Sequence, residues 1–237
     1  VQGFSLGDRV ACAGSGIATH SEYVSVPINL VAKIPDSVSM EAAAFTTVGC
    51  ISLQGFRRAN LGLGEVVVVI GLGLLGLLAV QIAKASGSIV IGIDLHENKL
   101  KLAREFGADY VLNGAKDDVV KAVSAQTELI GADAVLICAA SKSNSIINQA
   151  MEMCKRKGKV IVVGDVAMDI ARDHMYEKEL DLLMSTSYGP GRYDDNYELK
   201  GIDYPISYVR WTENRNMQHM LRMLEKKQVR IDGLLSK

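Results

Sequence analysis

The chain has 237 residues, of which 49% are hydrophobic and 22% are charged, and its formal net charge is −1 at pH 7. A chain of this length can bury a substantial core, in one large domain or two smaller ones. The near-neutral charge argues against nucleic acid or a membrane as a partner, because it provides no basic surface. The longest apolar run, from Val66 to Ile82, is broken by three glycines and does not predict a membrane span.

The cysteines are spread along the chain, with no two at the spacing of a metal clip. They are Cys12, Cys50, Cys138 and Cys154. Scattered cysteines of this kind indicate reduced thiols and a cytoplasmic protein. The chain starts at Val1 rather than at a methionine, and the turn after Gly3 leads into a strand with nothing before it to pair. We therefore expect a fragment of a longer protein.

The first part of the chain alternates short apolar stretches with turn residues. This pattern predicts strands at Val10–Cys12, Tyr23–Val26 and Leu30–Ile34. Ser39 is a predicted N-cap, and the segment from Ala42 to Arg58 is predicted to be mostly helical.

From Glu65 onward, apolar strands alternate with amphipathic helices. The predicted strands are Val66–Ile70, Ile89–Ile93, Tyr110–Leu112, Ala134–Cys138, Val160–Val163 and Leu182–Ser187, and the helices between them start near Leu74, Glu97, Asp117, Asn144 and Tyr176. The pattern predicts an α/β fold with a six-stranded, doubly wound parallel sheet of the Rossmann type. A last helix over residues 213–226 and a short strand at Val229–Ile231 are predicted after it.

A glycine turn follows the first strand of this sheet. Gly71 permits the tight turn, Gly73 lets the backbone approach a pyrophosphate, and Gly76 lets the helix pack closely on the strand. The helix start, with Leu74 and Leu75, then offers backbone N–H groups to the phosphates. In this strand–turn–helix context, the motif predicts a bound dinucleotide.

Asp94 follows Gly76 by eighteen positions and ends the second strand. A carboxylate there accepts hydrogen bonds from the adenosine ribose, and its charge repels the extra phosphate of NADP. The cofactor predicted from this residue is therefore NAD.

Further motifs stand around the glycine turn. They are Gly7-Asp8-Arg9-Val10, Ser21-Glu22-Tyr23, Ile34-Pro35-Asp36, Glu41-Ala42-Ala43, Gly62-Leu63-Gly64-Glu65, Phe106-Gly107-Ala108-Asp109, Gly131-Ala132-Asp133-Ala134 and Gly158-Lys159-Val160. With them the chain resembles the medium-chain dehydrogenase/reductase superfamily over nearly its whole length. The resemblance implies a Rossmann NAD-binding domain at residues 39–204 and an incomplete GroES-like catalytic domain at residues 1–38 and 205–237.

The resemblance also implies further cofactor contacts. Lys99 matches a lysine of the family that reaches the ribose, and Ala139, Gly164 and Val166 fall at positions close to the nicotinamide. Cys138 is interpreted as a packed apolar residue rather than a nucleophile.

A narrower resemblance is to the dehydrogenase half of bacterial two-module oxidoreductases. It is carried by Ala11–Gly16, Tyr188–Asp194 and Gly201–Pro205. It implies a fused second oxidoreductase module and a sugar as the small-molecule substrate. The family further implies a homodimer, in which the apolar sixth strand at Leu182–Met184 pairs with its counterpart.

The resemblance bears on zinc as well. Zinc-dependent members carry one metal ligand, a cysteine, at the position that Thr46 and Thr47 occupy here. Cys50 lies about one helical turn away, and as a displaced ligand it would need a different geometry. We therefore expect no catalytic zinc, with Thr46 and Thr47 as hydrogen-bond donors to the substrate. Tyr188, Arg192 and Tyr193, in a glycine-rich loop, are further candidates, with a tyrosine as general acid. The alternative is that these aromatic residues hold a long surface loop.

The leading hypothesis is therefore an NAD-dependent oxidoreductase that transfers hydride between the nicotinamide and an alcohol or carbonyl carbon. Two alternatives stay open. One is a zinc-free quinone or enoyl reductase that uses NADPH, and the other is a non-catalytic NAD-binding module of a larger fused protein.

Overall fold

A computed structural model describes residues 3–234, which form two compact units. The first unit contains the residues up to Gln54 together with Thr186–Asp232, and the second contains Gly55–Ser185 with the residues from Gly233. Among the described residues, no helix combines the length and apolar content needed to cross a bilayer.

The second unit is built on a six-stranded sheet. Its strands are β3 (Val66–Ile70), β4 (Ile89–Asp94), β5 (Tyr110–Asn113), β6 (Ala132–Ile137), β7 (Cys154–Val162) and β8 (Asp181–Met184). Their order across the sheet is β5-β4-β3-β6-β7-β8, and all neighbours run parallel. This is the doubly wound order, so the predicted α/β Rossmann fold is confirmed.

Helices connect these strands. They are α3 (Leu74–Ala85), α4 (Glu97–Glu105), α5 (Val119–Gln126), α6 (Ser145–Met153) and α7 (Arg172–Lys178). The central strand β3 is buried from Val67 to Ile70, and the middle of α3 is buried on nearly every side. The parallel crossovers require helices on the sheet faces, which explains why these segments are almost entirely apolar.

Several strand boundaries differ from the prediction. Strand β7 begins at Cys154 rather than Val160, because Cys154 pairs with Ala132 before a register shift interrupts the ladder. The last strand ends at Met184, so its predicted extension to Ser187 is wrong. The start of β7 is polar and contains a glycine, which is not a typical strand pattern. Its backbone is also irregular, since Lys157 has φ +60°.

The first unit contains a small antiparallel sheet and several helices. Its elements are β1 (Val10–Cys12), β2 (Val31–Lys33), α1 (Met40–Ala43), α8 (Asp195–Glu198) and α9 (Glu213–Glu225), together with a short 3-10 turn at Ile28–Leu30. Helix α2 (Thr46–Ala59) starts in this unit and ends in the other. The hydroxyl of Ser39 accepts a hydrogen bond from the Ala42 amide, which confirms the predicted N-cap.

Two predicted strands of the first unit are wrong. Tyr23–Val26 is irregular, since among residues 3–234 no strand runs beside it to take its backbone hydrogen bonds. Val229–Ile231 is also not a strand. Val229 is buried and its amide donates to the Met223 carbonyl of α9 at 3.3 Å, so this apolar segment folds back onto the helix.

The boundaries of the two compact units differ from those of the predicted domains. Residues 39–54 and 186–204, expected in the Rossmann domain, cluster with the small β-sheet instead. The identity of this first unit as a GroES-like domain stays a prediction.

Candidate functional site

The glycine turn brings the ends of neighbouring strands into close contact. Gly71 has φ +88°, and its amide donates to the Ile93 carbonyl at 2.8 Å. A Cβ atom on Gly71 would lie 2.7 Å from the Ala139 amide nitrogen, so only glycine fits here. The turn therefore holds the carboxyl ends of β3, β4 and β6 side by side.

Gly76 and Gly73 serve different purposes. A Cβ atom on Gly76 would lie 1.9 Å from the Gly71 carbonyl oxygen, so this glycine is required by the packing of α3 on the turn. A Cβ atom on Gly73 would meet nothing within 4 Å, and φ there is −73°. No side chain caps α3 at Gly73. Of the three glycines of the turn, Gly73, which precedes Leu74 and Leu75 at the helix start, is therefore the one that packing does not require.

Asp94 lies beside this turn at the end of β4. The side chain is almost fully buried. One carboxylate oxygen accepts from the Leu72 amide at 2.7 Å, and the other accepts from the His96 amide at 3.0 Å. Lys99 approaches at 3.7 Å. The carboxylate is thus fixed in place next to the glycine turn. Sequence reasoning missed the two amides, because no side-chain type marks them.

A second group of backbone contacts forms beyond β6 and β7. A Cβ atom on Gly164 would lie 2.1 Å from the Ala139 carbonyl oxygen. Ser141 pairs with Val166 in an isolated bridge. A cavity of about 590 Å³ opens here, lined by residues 140–142 and 165–167. The predicted residues Ala139, Gly164 and Val166 are therefore brought together, and Ser141 and Lys142 are pocket residues that sequence reasoning missed.

These features suit an extended nucleotide. In a doubly wound sheet, ligands bind outside the carboxyl ends of the strands, where the chain order reverses. In this sheet the reversal lies at β3, which has β4 on one side and β6 on the other. Gly73, the first turn of α3 and the fixed Asp94 lie at that point, where a doubly wound sheet would hold a dinucleotide. The assignment of the individual cofactor residues stays a prediction.

The five candidate catalytic residues belong to the first unit. Thr46 is buried, and its hydroxyl donates to the Ala43 carbonyl at 2.6 Å. The Thr47 hydroxyl is partly exposed and makes only a long contact, 3.5 Å, to the Cys12 carbonyl. Of the two, Thr47 therefore has the hydroxyl that is more readily available to a substrate.

Tyr188, Arg192 and Tyr193 are held by contacts within their own loop. Tyr188 is buried, and burial raises the pKa of its hydroxyl. Arg192 forms an ion pair with Glu198 at 2.7 Å and stacks on the ring of Tyr193, 4.2 Å from its centroid. The Tyr193 amide donates to Glu198 at 3.1 Å, while its side chain is 73% exposed. For Arg192 and Tyr193 these contacts favour the interpretation that they hold the loop.

Glu213 is a buried carboxyl group that sequence reasoning missed. It lies in the first turn of α9 with no exposed surface, and neither carboxyl oxygen has a hydrogen-bond partner among the described residues. Burial, followed by the negative charge of Glu198, raises its pKa to about 8, although Arg192 opposes the shift. Glu213 is therefore mostly neutral at pH 7. A lone glutamate at a helix start looks like an exposed residue in sequence, so nothing signalled its burial.

Cys138 and Cys154 show no sign of reactivity. Burial raises the pKa of both Cys138 and Cys154 to about 12, so these groups are thiols at neutral pH, in agreement with the interpretation of Cys138 as a packed residue. Within residues 3–234, no group of three or more His, Cys, Asp and Glu side chains is arranged to hold a metal ion.

The fold and the glycine turn with its acidic partner define a protein of the Rossmann type. The sequence model of the zinc-binding dehydrogenase family matches residues 75–199, more than half of the chain. The chain therefore belongs to the zinc-binding dehydrogenase family, within the medium-chain dehydrogenase/reductase superfamily.

Individual relatives agree with this assignment. An NAD-dependent alcohol dehydrogenase of Sulfurisphaera tokodaii is 36% identical over 64% of this chain and 44% of its own length. A D-xylulose reductase of Saccharomyces cerevisiae is 31% identical over 76% of this chain and 52% of its own. The chain thus spans about half the length of these curated relatives. The crystal structure of 2R,3R-butanediol dehydrogenase from Bacillus subtilis matches all of this chain and 67% of its own, with a TM-score of 0.76 and 21% identity, and so shares the fold.

The neutral Glu213 predicts a pH-dependent stability. An unfolded glutamate, with its ordinary pKa of 4.5, releases its proton well before the native one does near pH 8. The native state therefore binds more protons in this interval, and the free energy of unfolding should fall as pH rises, by up to about 1.4 kcal/mol per pH unit from this group. Glu213→Gln stays neutral and should lose this part of the dependence.

Urea unfolding between pH 5 and 8, followed by the fluorescence of the single tryptophan, Trp211, measures the effect in the first unit. Glu225→Gln, at an exposed position of the same helix, is the matched control and should follow the wild-type curve. Equal pH slopes for wild type and Glu213→Gln would show that Glu213 is ionised in the native protein.

Proposed function

We propose that the protein is an oxidoreductase that transfers hydride between NAD and an alcohol or carbonyl carbon. The observation that supports it most directly is the pairing of an open glycine turn with the fixed carboxylate of Asp94. The names of the relatives, an alcohol dehydrogenase and a D-xylulose reductase, favour the same reaction class.

In this proposal, two segments of the second unit bind different parts of the cofactor. The helix start at Gly73, Leu74 and Leu75 binds the pyrophosphate, since backbone N–H groups and the helix dipole favour anions. The backbone around Ala139, Gly164 and Val166 forms the wall on which the nicotinamide rests. When bound, the nicotinamide supplies or accepts the hydride, and the protein contributes orientation.

The choice of NAD over NADP rests on charge. Asp94 and Lys99 interact with the adenosine ribose, and both oxygens of Asp94 are already held by amides, so the carboxylate does not turn away from an incoming phosphate. Repulsion at close range then disfavours the 2′-phosphate of NADP. The same charge argues against the alternative of an NADPH-dependent quinone or enoyl reductase.

The carbonyl is polarised by hydroxyl groups instead of zinc in this proposal. Thr47 donates to the substrate oxygen, since its hydroxyl is the less engaged of the two threonines. Tyr188 is the candidate general acid, and its raised pKa keeps it protonated throughout the neutral range. A sugar or polyol suits the proposal, as the name of the xylulose relative suggests.

The proposal also covers the oligomeric state, a fused module and the location of the protein. The edge strand β8, with Leu182 and Leu183, pairs with a second copy to form a homodimer, since an unpaired strand edge offers a row of free backbone groups. The further proposal of a cytoplasmic enzyme with a fused second oxidoreductase module rests on the scattered cysteines and on the resemblance to bacterial two-module oxidoreductases. In the competing hypothesis the chain binds NAD without catalysis and the fused module performs the chemistry.

The test of the activity uses the protein at its full natural length, with NAD and a panel of primary alcohols, secondary alcohols and polyols. The expected result is formation of reduced nicotinamide, seen by its ultraviolet absorbance, in protein whose zinc content by mass spectrometry is far below one ion per chain. Cofactor binding without turnover of any substrate would favour the non-catalytic module. Stoichiometric zinc that activity requires would contradict the zinc-free chemistry.

The cofactor preference is tested by Asp94→Asn. Removing the negative charge should tighten NADPH binding relative to NADH by roughly tenfold, about 1.4 kcal/mol. Calorimetric titration with both reduced cofactors measures the ratio. Asp109→Asn is the matched control, because Asp109 likewise accepts from a backbone amide, that of Val90, and pairs with a lysine. An unchanged ratio in Asp94→Asn would refute the role given to this carboxylate.

A further inference from the structure

The first unit contains a second pocket that the proposed reaction does not use. It has a volume of about 280 Å³ and lies along the outer side of α9. Its walls include the side chains of Arg210, Trp211, Arg215, His219 and Arg222, with Asp203 as the one acidic member. Three arginines in one pocket are a marked local concentration of positive charge in a chain whose net charge is −1.

One of these arginines is already neutralised. Arg215 forms an ion pair with Asp203 and donates to the carbonyls of Val209, at 2.7 Å, and Tyr204, at 3.0 Å. The only carboxylate of the pocket is therefore paired, and Arg215 serves to fix the loop before α9. The remaining positive charges of the pocket are those of Arg210 and Arg222.

Arg210 and Arg222 have no carboxylate within ion-pair distance among residues 3–234. Arg210 is nevertheless held in place, because its guanidinium stacks on the indole of Trp211, 4.1 Å from the ring centroid. Trp211 in turn packs edge-on against His219, with 5.2 Å between ring centroids. The cationic wall is thus partly organised before any ligand arrives.

The backbone of α9 does not supply the binding groups. The amide of Glu213 donates to the Pro190 carbonyl, that of Asn214 to the Tyr197 hydroxyl, and that of Arg215 to the Thr212 hydroxyl. The first-turn amides are therefore occupied, and any anion in this pocket must be held by side chains.

We propose that this pocket binds a phosphate group, with Arg210 and Arg222 as the charge-bearing ligands and Trp211 and His219 as the wall that orients them. Guanidinium groups match the oxygen geometry of a phosphate and form charge-assisted hydrogen bonds with it. The volume exceeds that of a single phosphate, so the site suits a phosphorylated small molecule. This site is independent of the dinucleotide turn and of the proposed reaction.

The test is calorimetric titration of the protein with inorganic phosphate and with pyrophosphate at constant ionic strength. Wild type should bind with a Kd on the order of millimolar, and Arg210→Gln/Arg222→Gln should bind roughly tenfold more weakly or not at all. Both residues are exposed, so the double variant should keep the wild-type unfolding temperature. A variant that unfolds early is replaced by Arg210→Lys/Arg222→Lys, which keeps the charge and should bind phosphate more weakly than wild type.

Arg172→Gln is the matched control, because Arg172 also stacks on a neighbouring aromatic ring, that of Tyr176 at 4.3 Å, in the other unit. It should leave phosphate binding unchanged. An equal loss in the control would mean that phosphate senses only general surface charge, and this would overturn the proposal. Equal phosphate affinity in wild type and the double variant would also overturn the proposal, because the phosphate would then bind at another site such as the glycine turn.

Discussion

The second unit depends on how closely three strand ends approach one another. Ala139 lies between Gly71 and Gly164, and a single methyl group on either glycine would overlap its backbone. This contact joins the ends of β3, β6 and β7, and Gly76 then sets α3 directly on the turn. Packing requires Gly71, Gly76 and Gly164, whereas Gly73 is the one glycine of the turn that faces open space. The binding site is a consequence of that arrangement.

Each unit contains a buried carboxyl group with a distinct environment: Asp94 in the second unit and Glu213 in the first. Asp94 is buried, and each of its carboxylate oxygens accepts a hydrogen bond from a backbone amide. Glu213 is buried without such partners, and it responds by holding its proton. The two carboxyl groups differ because amides donate hydrogen bonds to Asp94 and none among the described residues donates to Glu213. This difference explains why Asp94 is proposed to recognise the cofactor, whereas Glu213 is expected to make the stability depend on pH.

The sequence predicted the features that repeat or that require glycine. The bounds of β3, the start of α3, the parallel sheet and the glycine turn are confirmed, since their patterns are local and strongly periodic. The strand predicted at Tyr23–Val26 is wrong because a strand needs a neighbour, which its own residues do not reveal. The amide of Leu72 that holds Asp94 and the burial of Glu213 likewise depend on contacts between segments that are distant in sequence. The catalytic residues proposed in the first unit rest on family resemblance and stay predictions.

The central claim is that a dinucleotide lies over Gly73, and binding of NADH to Gly73→Ala tests it most directly. An added Cβ meets no protein atom within 4 Å, and φ is −73°, so the variant should keep the stability of the wild type. If the pyrophosphate occupies that open space, NADH should bind at least roughly tenfold more weakly by calorimetry, a loss of about 1.4 kcal/mol. NADH binding of wild-type strength in a stably folded Gly73→Ala protein would contradict the account.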